Sequence, residues 1–280
     1  MEFQVIGWLI MDKIWMPQWL KRLEEYDFIP QDKDLHVDLP SVVKEDPVEN
    51  AIRRIEAKPL KFKSAAKTRL TQIIEQTLDS ALVLEGSILD NQDQAISVWT
   101  GSAFLIQPNI AITNSHTVVE PDTATGERAL HIASLDGENF YEIKSIARDE
   151  GVDISVFEIL DFPGHSYLTL GDSDSVELGE MIVILGAPEG WSNTTTVGYI
   201  TNKYQSLEGG DPAWQDLIFT DAYIANGSSG GAVVDINGTV IGVVVGIVGQ
   251  HSSIGVGVNA LIPINKVKTF LSQNNIPYEG

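Results

Sequence analysis

Between residues 80 and 262 the apolar positions come in short bursts. "ISVWTGSAFLI", "ISVFEIL", "MIVILGA" and "TVIGVVVGIVG" are rich in valine, isoleucine and aromatics, and "PN", "DG", "GG" and "NG" separate such runs. Bursts of this length closed by turn residues predict β-strands. Asn237-Gly238, between "AVVDI" and "TVIGVVV", predicts a two-residue hairpin turn. A succession of short strands argues for a sandwich or barrels, and about 180 residues is comfortable for two barrels. The period changes at both ends of this region. Leu70, Ile73, Ile74 and Thr77 share one helical face, within a segment running from Ser64 to about Thr77. "NKVKTFLSQNN" predicts a closing helix at about 265–274, with Asn265 as N-cap and Val267, Phe270 and Leu271 inward. Residues 21–63 mix charges, prolines and small apolar groups, which reads as an extended or part-helical connector. No internal repeat or low-complexity tract is visible.

Composition narrows the chemistry. The 280 residues are 43% hydrophobic and 20% charged, so a sizeable core is available. With no cysteine, disulfides, thiolate nucleophiles and cysteine-bound metal are excluded. The net charge is −21, and residues 1–70 are balanced, so the whole excess falls on 71–280. Such a surface repels phosphate backbones, so no nucleic-acid partner is expected. No stretch reaches the ~18 uninterrupted apolar residues of a membrane span. The first twenty residues come nearest but are broken by Asp12 and Lys13, and they lack the features of a cleavable signal. Trp8, Trp15 and Trp19 suit peripheral membrane contact through residues 1–20, or packing on the main domain or a partner subunit. Compartment is not fixed by this, with cytoplasmic or peripherally membrane-attached slightly favoured. No metal-ligand cluster stands out, and no cofactor is implied.

"NGSSGGAVV" places Ser228 and Ser229 among glycines. A serine hydroxyl becomes a nucleophile only beside a base that a third group holds in one tautomer. It also needs donors for a developing oxyanion, and glycines let consecutive N–H groups converge. Five histidines could supply the base. His36 lies in the charged connector, His131 and His165 have ordinary surroundings, and His251 sits in a turn. His116 stands where the β run of "NIAITNSHTVV" breaks into polar residues, a position both aimed and movable. Among many acids, Asp153 opens an apolar strand in "GVDISVFEI", where a buried carboxylate needs a partner.

The order His116, Asp153, Ser229 in an all-β chain of this size resembles the trypsin-like serine peptidases, and more closely their cysteine-free HtrA/Deg branch. "TGSAFLIQPNIAITNSHTVV", "RDEGVDISVFEI", "LGDSDSVELGEMIVILGAPEG", "TDAYIANGSSGGAVVDINGTVIGV" and "GVGVNALIPINKVKTFL" match the family's segments in order, from roughly Leu70 to Leu271. The resemblance implies an all-β fold of two six-stranded antiparallel barrels, with an N-terminal helical or extended extension and a short C-terminal helix. Its boundaries are an extension at 1–65 and a peptidase domain at 66–280. Within the domain, barrel 1 is expected at about 80–160 and barrel 2 at about 165–263.

The family motif implies that Ser229 is the nucleophile, His116 the base and Asp153 its orienting acid. The N–H groups of Gly227 and Ser229 would form the oxyanion hole. Tyr223 and Ile224, with the strand Val244, Val245 and Gly246, would bound the specificity pocket. No acid stands at Tyr223, which implies cleavage after small or medium apolar residues of unfolded or extended polypeptides, not after lysine or arginine. Because Ser228 is not acidic, activation by a freshly cut N-terminus is not expected. Ala103, Ser115 and Ala232 depart from the usual pattern without removing a reacting atom. The family's trimers imply a homo-oligomer, and residues 1–65 could serve assembly, anchoring or inhibition. With Gly280 following soon after Leu271, no PDZ module is expected.

Rival readings are weaker. G-x-S-x-G from Gly227 to Gly231 also fits an esterase elbow, but a hairpin follows where a helix is required, and only His251 lies downstream. No Gly-Lys-Ser/Thr supports a phosphate loop. The glycan sequons at Asn193, Asn226 and Asn237 read as chance. The alternative from another class is a catalytically silent peptide-binding or scaffold protein that keeps the fold.

Overall fold

The computed structural model describes residues 67–120, 127–205, 215–248 and 258–280. The expectations for residues 1–65, for His36 and for His251 lie outside the described residues.

Twelve strands form two closed antiparallel barrels. The first holds β1 (Ala81–Leu89), β2 (Ala95–Gln107), β3 (Ile110–Thr113), β4 (Arg128–Ser134), β5 (Tyr141–Asp149) and β6 (Ile154–Ile159). The second holds β7 (Met181–Gly186), β8 (Thr194–Gln205), β9 (Leu217–Thr220), β10 (Ala232–Val234), β11 (Val240–Val248) and β12 (Val258–Pro263). Around the first barrel the order is β1-β2-β3-β6-β5-β4. The second reads β7-β8-β9-β12-β11-β10, the same path. A repetition invisible in the residues is therefore present in the connectivity. Closure removes every free edge, which strands this apolar require.

The unbroken apolar runs follow from two-sided burial. Side chains alternate along a strand. In β2, Ala103 and Leu105 fill the first barrel with Leu82, Leu84 and Phe157. Phe104 and Ile106 point the other way, into a cluster shared with Val183, Leu185 and Val234 of the second barrel. β7 does the same, with Ile182 and Ile184 inside its own barrel and Val183 and Leu185 in the shared cluster. The barrels thus meet through a fused core.

Among the described residues, two α-helices flank the sheets. Helix α1 (Arg69–Thr77) buries Ile73 and Thr77, and the Thr68 side chain caps it by accepting from the Thr71 N–H. It starts later than the Ser64 expected from periodicity, because Thr68 supplies the cap. Helix α2 (Ile264–Gln273) buries Ile264, Val267, Phe270 and Leu271. Asn265 is not its N-cap. Pro263 takes that place without a side-chain bond, while Asn265 Nδ2 donates to Asp172 Oδ1 over 2.7 Å.

The β10–β11 hairpin forms where expected, but its turn is of another type. A type I′ turn needs positive φ at both central residues. Here Gly238 alone has it, at +83°, and a register shift follows at Val234. Asp235 dictates this: its Oδ1 accepts from the N–H of Asn237 at 2.8 Å and of Thr239 at 2.9 Å. The carboxylate folds the chain into an Asx-type turn, and glycine absorbs the left-handed step.

Candidate active site

The site is assembled at the seam of the barrels. β3 ends at Thr113, and a single helical turn, Ser115–Thr117, carries His116 outward. Its side chain is half exposed. The turn is pinned from below. Thr117 Oγ1 bonds the Asn114 carbonyl at 2.8 Å, and Trp99 Nε1 donates to the Thr117 carbonyl at 2.9 Å.

Asp153 lies just before β6 with φ at +59°, a left-handed conformation uncommon for a residue with a side chain. It is 6% exposed. That turn aims its carboxylate at the histidine. His116 Nδ1 lies 2.8 Å from Oδ2, and the His116 backbone N–H donates to Oδ1 at 3.0 Å. Ser115 Oγ donates to the same Oδ1 at 2.9 Å, and Asn114 Nδ2 donates to the Asp153 carbonyl at 3.0 Å. With Nδ1 facing a carboxylate, Nε2 is left as the nitrogen free to accept a proton.

The other described histidines make different contacts. His131 packs edge-on to Trp99, and its Nε2 is buried with no partner among the described residues. Burial first, then the charge of Arg148, hold its pKa below the usual histidine value, against an upward pull from Glu120. His165 lies in the connection between the barrels, where its N–H donates to the Pro108 carbonyl.

The glycine loop separates the two serines. Ser228 is buried, and its Oγ accepts from the Ala225 N–H at 3.2 Å, so it serves the loop. Ser229 stands at the surface of the seam. Its hydroxyl donates to the Val245 carbonyl at 2.8 Å. A hydroxyl has one proton, so Ser229 cannot at the same time donate to His116. The structure brings His116 and Asp153 together and holds the Ser229 proton on β11.

Gly227 occupies the left-handed position of a tight turn, with φ at +86° and the Ser228 N–H bonded to the Ala225 carbonyl at 3.0 Å. The preceding carbonyl, of Asn226, accepts from the Glu189 N–H at 2.8 Å. Glu189 itself has φ at +53°, in the turn Pro188–Gly190. Across a trans peptide the Gly227 N–H points opposite to that carbonyl. Neither the Gly227 nor the Ser229 N–H has an acceptor among the described residues. The loop hangs on β2: Ser102 Oγ donates to the Gly227 carbonyl at 2.6 Å, and the Ser102 N–H to the Ser229 carbonyl at 2.8 Å.

The expected pocket residues are placed unevenly. The Tyr223 side chain is exposed, and Thr196 Oγ1 holds its carbonyl at 2.8 Å. Ile224 and Val244 are buried in the second barrel's core, and Val245 in the shared cluster. The demand of the two cores for apolar volume turns these three side chains inward. They leave only backbone toward the seam. Gly246 faces open space, since a Cβ there would meet nothing within 4 Å.

Sequence reasoning missed several contributors: Ser102, the Glu189 amide, the Val245 carbonyl and the bond from Ser115. Ser115 had a signal, a hydroxyl beside the chosen histidine. Main-chain groups carry none, because every residue has them.

Residues 101–243 match the family described as a trypsin-like peptidase domain. The chain is 30% identical over 182 residues to serine protease HTRA1 of Xenopus tropicalis, covering 63% of this chain and 36% of that protein. It is 29% identical over 182 residues to the periplasmic serine endoprotease DegP of Escherichia coli K12, covering 65% and 36%. A probable periplasmic DegP-like serine endoprotease of Chlamydia pneumoniae is 36% identical over 160 residues, covering 56% and 31%. The chain thus spans about a third of the length of these relatives.

Proposed function

The chain belongs to the trypsin-like peptidase family, and from that premise we propose that it is a serine endopeptidase cutting unfolded or extended polypeptides. The observation that carries this is the two-point grip of Asp153 on His116, side chain at 2.8 Å and backbone at 3.0 Å, beside the Ser229 loop. That grip fixes one tautomer and stabilises the imidazolium that forms when His116 takes a proton.

The mechanism starts from the resting hydroxyl. A substrate laid extended against the Val244–Gly246 strand offers its main-chain N–H to the Val245 carbonyl. That donor competes with the Ser229 hydroxyl, which rotates toward His116 Nε2. Ser229 Oγ then attacks the peptide carbonyl as its proton passes to Nε2. The tetrahedral oxyanion is met by the N–H groups of Gly227 and Ser229, which have no acceptor among the described residues and so are available to it. His116 returns the proton to the leaving amine, giving an acyl-serine and a shortened chain. Water, deprotonated by His116, attacks the acyl carbonyl and restores the serine. The site of cleavage follows small or medium apolar residues, since Tyr223 supplies no anion for lysine or arginine.

One observation favours a second reading. The Ser229 proton lies on Val245, and a protein that never released it would bind peptides without cutting them. A fluorophosphonate probe separates the two. A mass adduct on Ser229, lost in Ser229→Ala, with casein degraded in parallel, supports the peptidase. No adduct under any condition, with peptide binding retained, supports the silent binder.

A further inference from the structure

We propose that Ser115 is a positioning residue for the His116–Asp153 pair, its hydroxyl locking the carboxylate in the plane that keeps Oδ2 on Nδ1. This rests on the peptidase reading above.

A carboxylate turns softly about its Cβ–Cγ bond, with no sharp rotamer of its own. Its aim must come from donors. Oδ2 has the imidazole, and Oδ1 has two donors, the His116 N–H at 3.0 Å and Ser115 Oγ at 2.9 Å. The backbone donor alone defines a point, whereas the pair of donors on Oδ1 defines an orientation. Ser115 is well placed to hold it. It is 3% exposed and opens the helical turn, and its carbonyl accepts from Arg148 Nε on β5 at 3.3 Å. Arg148 is itself paired with Glu150 at 3.0 Å. The hydroxyl therefore arrives from a fixed frame.

The bond also has an electronic consequence. A donor on Oδ1 draws negative charge away from the carboxylate and so moderates its pull on a protonated imidazole. Removing the hydroxyl does two things at once. The carboxylate loosens, which slows proton transfer, and its charge concentrates on His116, which keeps its proton to higher pH. Arg148, whose Nε donates to the Ser115 carbonyl, and its partner Glu150 stay in place in these variants.

The test uses the full chain carrying Ser115→Ala, Ser115→Thr and Ser115→Cys. In Ser115→Ala, kcat on casein-derived peptides is expected to fall about tenfold with KM unchanged, the scale of one lost hydrogen bond. The nitrogen NMR titration of the His116 ring, recorded in a Ser229→Ala background, is expected to move to higher pH. Ser115→Thr restores both values. Ser115→Cys keeps the volume with a weaker donor, so it stands in if the alanine variant does not fold, and it shifts the titration in the same direction. A His116 titration that superimposes on the wild type in a folded alanine or cysteine variant overturns the proposal. This readout needs no turnover. A chain that never hydrolyses peptides would sink the peptidase reading, while an unchanged titration would sink this one.

Discussion

The Ser102 hydroxyl donates to the Gly227 carbonyl across 2.6 Å, joining β2 of the first barrel to the glycine loop of the second. The same oxygen accepts from the Ala187 N–H at 2.8 Å. One hydroxyl thus satisfies a buried amide and orients the peptide that follows Gly227. In Ser102→Ala the Ala187 amide is left without this partner, a cost of about 1–3 kcal/mol. We expect peptide hydrolysis to fall more steeply than the drop in melting temperature would suggest, because the loop loses one of its two tethers to Ser102. Paired thermal melts and kcat/KM measurements check this.

Ser229→Ala is expected to lose labelling and hydrolysis while keeping the fold, because the hydroxyl makes a single partly buried bond to Val245. The residual rate should fall by about a millionfold if Ser229 is the nucleophile. A variant that still degrades casein above background removes Ser229 from that role.

Asp153→Asn keeps the shape but presents an amide N–H or a neutral oxygen to His116. The histidine then favours the wrong tautomer, and a loss of about 10⁴ in kcat is expected at neutral pH. Two of the bonds at stake are on Oδ1, from Ser115 and the His116 N–H. Stopped-flow acylation with an activated ester measures the effect.

Gly230 has φ at +87°, and a Cβ there would lie 2.2 Å from both the Ser102 carbonyl oxygen and Thr113 Oγ1. Backbone on one side and a buried, doubly bonded hydroxyl on the other cannot yield. Gly230→Ala is expected to destabilise by about 3 kcal/mol or more, since strain and overpacking act together. Urea unfolding reports it. Gly246→Ala, with open space around its Cβ position, is the matched control.

Asp136 gives a pH prediction away from the site. Backbone N–H bonds from Asn139 and Glu138, then side-chain bonds from Asn139 and Ser134, hold its pKa far below the ordinary 3.8. A carboxylate depressed on folding stabilises the loop above its unfolded value and loses that contribution as pH falls toward its folded one. The wild type should therefore lose stability between about pH 4 and pH 2 more steeply than Asp136→Asn. Parallel acid melts of the two proteins compare the slopes.

Much of this architecture was legible in the residues, for a physical reason in each case. Strands buried on both faces must read as unbroken apolar runs, as residues 103–106 of β2 and 182–185 of β7 do. The helix faces of Ile73 and Thr77, and of Val267, Phe270 and Leu271, appeared through their spacing. His116 and Asp153 drew attention because each is polar at the edge of an apolar strand, and the fold puts their side chains 2.8 Å apart. What could not be read was decided by groups without sequence identity or by choices between equals. The Val245 carbonyl holding the Ser229 proton is main chain. Asn265 had the right chemistry for a cap, but Asp172 competed for its side chain. Asn237-Gly238 promised one turn, and the carboxylate of Asp235 imposed another. Ile224, Val244 and Val245 were placed by motif beside the substrate, while the core claimed their side chains.

His116 and Asp153 belong to the first barrel by descent, and Ser229 to the second. Yet the carbonyls of Gly227 and Ser229 are tied to Ser102 of the first. The loop is tied to its own barrel as well, through the Ser229 hydroxyl on the Val245 carbonyl and the Gly230 N–H on the Val244 carbonyl at 2.9 Å, so Ser229 is clamped from both sides. Any shear between the barrels must therefore strain the Ser102 bonds or the β11 bonds before it can displace the serine.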